Sequence, residues 1–273
     1  MARTSFAHFV AINILQLSLL YNSGLHAVDL SYEGCMSDTA NSYTVGGWCF
    51  LLYRDSSWGT IKPTQDDAQT LCGAKGNLAV GVTTKMLNTF KTNYASASLS
   101  WRWIALVRNS SISDINLGWS WNTRLPSGKY ATFPAIMSDF PWGPGEPGNQ
   151  FGSENSASIS YNEGICDVRN DWNRNPITRI HGVICQYAPL QWKYSQRGHG
   201  LFAVDAYRIA QTTAPKLACI MQCHHSVFCI SLAFNPTTSD CQIYGVSPED
   251  PKFAGNVTGN SAYDWYIRDG MEY

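Results

Sequence analysis

Charge is scarce in this chain, and no single sign of it dominates. Only 14% of the 273 residues are Asp, Glu, Lys or Arg, and they sum to a net charge of -1. No basic stripe or like-charged block is present to grip a phosphate backbone or an anionic membrane surface, which excludes nucleic acid as a partner. Long hydrophobic runs are also missing. The longest, Phe9 to Tyr21, is shorter than the ~20 apolar residues that cross a bilayer, and nothing later approaches it. There is no phosphate-binding P-loop, no G-x-S-x-G elbow and no H-E-x-x-H pair, so the reactions those motifs run have no residues here. Tandem repeats and low-complexity tracts are absent too.

Cysteine, by contrast, is plentiful. Nine are spread from Cys35 to Cys241, and an odd number leaves at least one without a partner in the same chain. Their abundance points to an oxidising compartment. The start of the chain agrees: Arg3, the apolar run, then small and polar residues to Ala27 read as a secretory signal peptide over residues 1–27. The expectation is a secreted, extracellular protein with no membrane span. Sequons at Asn109 and Asn256 are candidate glycosylation sites on surface loops.

The last four cysteines crowd into 23 residues, whereas the first five are dispersed, so a boundary is placed near residue 190. In the first part, residues 35–54 read as two strands joined by Cys35 and Cys49. A helix follows, with Thr64 as N-cap, Asp66 and Asp67 at the positive end of its dipole and Gly76 as its stop. A second helix is expected from Thr84 to Tyr94, with Leu87, Phe90 and Tyr94 in register. "WRWIALVR" and "GWSWNTR" are short strands that send Trp103, Trp119 and Trp121 to the core. Leu125 to Asn155 is a long loop, of a length that usually serves recognition or hides structure of its own. Trp142 within it is the tryptophan placed nearest the surface. "SASISY" and "GVICQY" close the region, giving an α+β class.

Taken in order, the WCF segment, the helix with Cys72, the WIAL run, W-x-x-G-E-P, a W-N pair and V-I-C-Q-Y resemble a C-type lectin-like domain, here over residues 28–189. The resemblance implies a two-helix, short-strand, long-loop fold with Cys35 paired to Cys49 and Cys72 to Cys185. Closing the longer of these loops stabilises by roughly 4–5 kcal/mol in the chain-entropy model. The family's inner disulfide has no counterpart, since Ser156 and Ile177 stand at its two positions. Cys166 is then unpaired, either a free thiol or a link to a second chain in a disulfide dimer.

In sugar-binding members of that family, acids and amides of the long loop hold calcium and bond sugar hydroxyls. The resemblance carries Glu146, Pro147, Asn149, Glu154 and Asn173 over as ligand-binding loop residues, with Glu146, Glu154 and Asn173 as metal ligands. It also suggests a cis peptide before Pro147. Two departures argue against the ion. Gly148 stands where an Asn belongs, unless Asn149 serves by a one-residue slip, and Arg174 brings a fixed cation where an acid ligand is needed. The expectation is no cofactor or a calcium ion, with an ion-free loop braced by Arg174 as the competing arrangement. Two nearby acids also suit glycoside hydrolysis, but their place in an irregular loop speaks for binding, and no catalytic residue is assigned.

Residues 190–273 have a different logic. Pro215 suits the start of a helix, Cys219 and Cys223 share one face, and "FCISLAF", "NPTTSD" and "CQIYG" make a hairpin. This resembles a PAN/apple domain, implying Cys219–Cys241 and Cys223–Cys229. His224 and His225 sit between two of those cysteines, where a zinc site competes with the disulfides and with a plain helix end. The sequence as a whole points to a non-catalytic recognition protein whose partners are glycans or glycoproteins. The alternative is a matrix or adhesion protein that uses a calcium-independent lectin-like fold to bind proteins.

Overall fold

The computed structural model describes residues 29–53, 64–93, 101–125, 127–137, 140–160, 163–171, 180–191, 193–226, 228–260 and 262–270. Residues 1–27, expected from the sequence to be a signal peptide, Tyr94 and the Trp172-Asn173-Arg174 stretch with Ile177 lie outside the described residues.

Helix α1 (Tyr32–Ser37) opens the fold because the Ser31 side chain accepts from the Gly34 amide at its N-terminus. Cys35 therefore sits on a helix, which corrects the reading of residues 35–54 as strands alone. Strands β1 (Ser42–Val45) and β2 (Trp48–Tyr53) follow as a hairpin. Its two turn residues, Gly46 and Gly47, both have positive φ, the requirement of a tight type I′ turn.

Helix α2 (Gln65–Ala68) begins on a capping box, in which Thr64 and Asp67 each bond the other's backbone amide. It tightens into a 3-10 turn over Gln69–Cys72 and ends at Gly73, whose φ is 70°. The stop thus comes before Gly76. The glycine is needed at position 76 for another reason: a Cβ there would run into the Tyr187 ring. Strand β3 (Asn77–Leu78) leads to helix α3 (Thr84–Asn93), whose first turn is tied by the Met86 amide donating to Thr83 Oγ1 at 3.3 Å.

Strands β4 (Trp101–Arg108), β5 (Trp119–Arg124), β6 (Tyr130–Pro134), β7 (Ser156–Ser160), β8 (Gly164–Val168) and β9 (Ile180–Tyr187) complete one sheet. Its order is β1-β2-β9-β4-β5-β6, with β3 on β9 and the β7–β8 hairpin attached through β4. Most pairs are antiparallel; β4 and β9 run parallel. Strand β6 arises inside the segment read as loop. Between Trp103 and Val107 the β4–β7 register shifts, and buried Gln65 satisfies the carbonyls freed there, donating to Ile104 O at 2.6 Å and Leu106 O at 3.0 Å. Trp103, Trp119 and Trp121 are all buried, as the strand alternation requires.

The C-terminal region forms β10 (Tyr194–His199), β11 (Leu201–Phe202), β12 (Arg208–Thr213), helix α4 (Lys216–His225), β13 (Ser231–Asn235), β14 (Asp240–Tyr244), β15 (Val257–Thr258) and β16 (Asp264–Arg268). The order β10-β16-β13-β14-β12 makes a five-stranded sheet, and β11 pairs β15. Pro215 is the residue just before α4 and not within its first turn. The β13–β14 turn is set by Asn235, whose side chain accepts from the amides of Thr237 and Thr238.

Four disulfides join Cys35 to Cys49, Cys72 to Cys185, Cys219 to Cys241 and Cys223 to Cys229. With Cys223 and Cys229 bonded to each other, a zinc site there has no thiolates. The two sheets share one buried cluster. Phe228, from the C-terminal region, stacks on Phe133 at 4.7 Å and on Trp48 at 6.3 Å between ring centroids. The fully buried Arg268 lies over Trp48 at 5.6 Å. No helix among the described residues is long and apolar enough to cross a membrane.

Candidate functional site

The loop from Phe140 to Asn155 is fastened at its base by aromatic packing. Trp142 meets Trp119 edge-on at 5.0 Å and Phe140 at 4.8 Å, so it is half-buried and part of the support for the loop. The Gly143 amide donates to Ile165 O on β8 at 2.7 Å. At the other end, Arg108 donates to Asn155 Oδ1 at 3.0 Å. Both feet of the loop therefore stand on the nine-stranded sheet.

Between these feet the chain turns sharply. The Glu146–Pro147 peptide is cis, and Asn149 (φ 45°) and Gly152 (φ 71°) occupy the left-handed region. The backbone amides of such a segment have no ladder partners, and buried side chains supply them. Asp167, on β8 and only 3% exposed, accepts from Gly148 N through Oδ1 and from Asn149 N through Oδ2, both at 2.9 Å. Glu154, equally buried, accepts from the amides of Gln150 and Phe151. Asn149 Oδ1 accepts from Glu154 N at 3.1 Å. Glu146 accepts from Gly148 N at 3.2 Å, and its carboxyl group is in hydrogen-bond contact with that of Asp167.

Three carboxyl groups thus face inward and hold four consecutive loop amides, Gly148 to Phe151. Crowding them pushes Glu146 up to about 7, first by burial and then by the hydrogen bond and charge of Asp167. Glu154 is raised as well, by burial and then by Asp167. What the loop turns outward is different in kind: the Phe151 ring, 63% exposed at its tip, flanked by Gln150, Gly152 and Ser153, all exposed.

Of the residues singled out in the sequence, Glu146, Pro147, Asn149 and Glu154 come together, and Asn173 and Arg174 lie outside the described residues. Asp167 and Phe151 are new. Asp167 lies within the five-residue strand "GICDV", every residue of which is buried. An ionised group there needs a partner. Cys166 beside it is buried, and its thiol is pushed far above the ordinary range by burial and by Glu146, Glu163, Asp167 and Glu154. That environment disfavours the thiolate, the reactive form. Asn109 lies on an exposed turn, with its Oδ1 accepting from Ser111 N, and Asn256 is half-buried before β15.

A calcium ion needs six to eight oxygens pointed at one place. Among the described residues the donor set does not fit. Both Asp167 oxygens, the Asn149 carbonyl and the Glu154 carboxylate are turned onto backbone amides, and no group of three or more metal-ligating side chains is formed among the described residues. Among the described residues, protein side chains satisfy the loop amides from Gly148 to Phe151.

No protein-family model matches the sequence, and no curated protein matches it. Among solved structures, C-type lectin domains match about half of the chain. The mouse scavenger receptor C-type lectin carbohydrate-recognition domain is 18% identical, covers 55% of this chain and 95% of its own, and has a TM-score of 0.36. The cow C-type carbohydrate-recognition domain of CD23, solved in the presence of a GlcNAc2Man3 oligosaccharide, is 17% identical over 54% and 93%, with a TM-score of 0.36. The C-type lectin CEL-I from Cucumaria echinata is 12% identical over 54% and 94%, with a TM-score of 0.35.

Proposed function

We propose that this is a secreted, non-catalytic recognition protein that binds carbohydrate or glycoprotein through the Phe140–Asn155 loop, without calcium. The observation that carries the reading is the division of labour in the loop. Buried acids fix its backbone, and an exposed aromatic ring stands at its tip. A flat aromatic face beside polar groups suits the C–H face and hydroxyls of a sugar. Residues 28–189 then act as the recognition unit. Residues 190–273, a PAN/apple-like unit, add protein or glycan contacts.

A protein-binding role in matrix or adhesion is the second reading, favoured by one observation. Leu217 and Met221, one turn apart on α4, are 72% and 39% exposed. A glycan array probed with the full chain, in calcium and in chelator, separates the two. The expected result is a defined set of bound glycans common to both conditions, lost with Phe151→Ala. Absence of any bound glycan sinks the sugar reading.

A further inference from the structure

The fold treats the two sequons differently. At the second, Asn256 is half-buried, its carbonyl accepts from Ala203 N at 2.8 Å, and Val257 and Thr258 pair with Phe202 and Leu201. The Thr258 hydroxyl, the group that completes the sequon, donates to Leu201 O at 3.0 Å. At the first, Asn109, Ser110 and Ser111 are all exposed on the turn that follows β4. Asn109 Oδ1 accepts from Ser111 N at 3.0 Å, and Nδ2, the atom that carries an N-linked glycan, is bonded to none of the described residues. A bulky, hydrated chain leaves this position without displacing any strand pairing.

The turn is also fixed, and fixed beside the recognition loop. Asn109 N donates to Gly118 O at 3.0 Å, and Ile112 N to Asn109 O at 3.1 Å. Arg108, the residue before the sequon, donates from its backbone to Asn155 O at 2.9 Å and from Nη1 to Asn155 Oδ1 at 3.0 Å. Its Nη2 donates to Ile112 O and, at 3.1 Å, to Asp114 O. One guanidinium thus fastens both the sequon turn and the C-terminal foot of the loop. Phe151 lies four residues from that foot, at most about 14 Å along the chain. We propose that Asn109 carries an N-linked glycan that stands at the flank of the Phe140–Asn155 loop and screens Phe151 from bulky ligands while leaving it open to small ones. The inference rests on the reading above of a secreted chain with this loop as its binding face.

The full chain is expressed in a mammalian secretory cell line and recovered from medium and cells. Peptide mass spectrometry after N-glycosidase treatment, which converts a glycosylated Asn to Asp, is expected to find Asn109 converted in most chains. Screening is read without any glycan ligand, by maleimide labelling of a chain carrying Phe151→Cys. Cys166 is buried and its thiolate disfavoured, so the introduced thiol is the one that reacts. N-ethylmaleimide labels it at the same rate with and without Ser111→Ala, which removes the sequon and keeps Asn109. A polyethylene-glycol maleimide labels it at least threefold faster once the sequon is removed. Asn109→Gln serves in the same way should the Ser111 variant fold poorly. Asn109 left unconverted, or equal labelling by the large reagent, overturns the proposal and leaves glycan recognition standing. Both readouts as expected, with no glycan bound on the array, support the proposal and sink only the recognition reading.

Discussion

Two titrating residues pull the stability of this protein in opposite directions over the same pH range. Glu146 is raised from 4.5 to about 7, chiefly by burial and by Asp167. Between those values the folded state holds a proton that the unfolded state has released, so its contribution falls as pH rises. Glu154, also raised, acts with the same sign. His224 is lowered from 6.5 to about 4 by burial, then by Arg268 and His225. There the unfolded state holds the extra proton, and stability rises with pH from about 4 to 6.5. Urea midpoints across this window should therefore be flatter in the wild type than in either variant. Glu146→Gln is expected to rise with pH, and His224→Asn to fall. These residues were unequally legible. Glu146 and Glu154 stood out as acids in a Gly- and Pro-rich loop. Asp167, which accepts two of the loop's amides, was hidden because its partners lie 18 and 19 residues earlier in the chain.

At the level of elements, local chemistry was readable where it decided the outcome. The Thr64 cap, the β13–β14 turn and the alternating Trp strands are each set by neighbours in sequence. Helix α1 was missed because a single Ser31 cap decides a six-residue helix that contains Gly34 and is too short to show apolar periodicity. Strand β6 was missed because it exists only by pairing along β5. The end of α4 depends on a residue more than forty positions away. Arg268 donates to His224 O at 3.2 Å, Ser226 O at 3.3 Å and Cys229 O at 2.9 Å, satisfying carbonyls that helix geometry leaves without partners. Arg268→Met removes these charge-assisted bonds and should destabilise by roughly 3 kcal/mol. Arg268→Lys, which keeps the charge but not the fork, should fall between. Urea denaturation with an unchanged slope is the check.

For the molecule as a whole, the change in cysteine spacing near residue 190 coincides with the change of sheet, but composition gave no sign that one core crosses it. That core is built from rings distant in sequence, Trp48 and Phe133 on one side and Phe228 on the other. Shared burial of this kind couples the two regions, and the loop is coupled to the sheet by Asp167, Glu154 and the Trp142 base. In the reading proposed above, the protein's own carboxylates, and no metal, hold the Phe140–Asn155 loop in place. Scanning calorimetry of the full chain in excess calcium and in excess chelator tests it most directly. One cooperative transition at the same temperature in both is the predicted result, since a ligand that does not bind the native state cannot shift its unfolding. A transition raised by several degrees in calcium would contradict it.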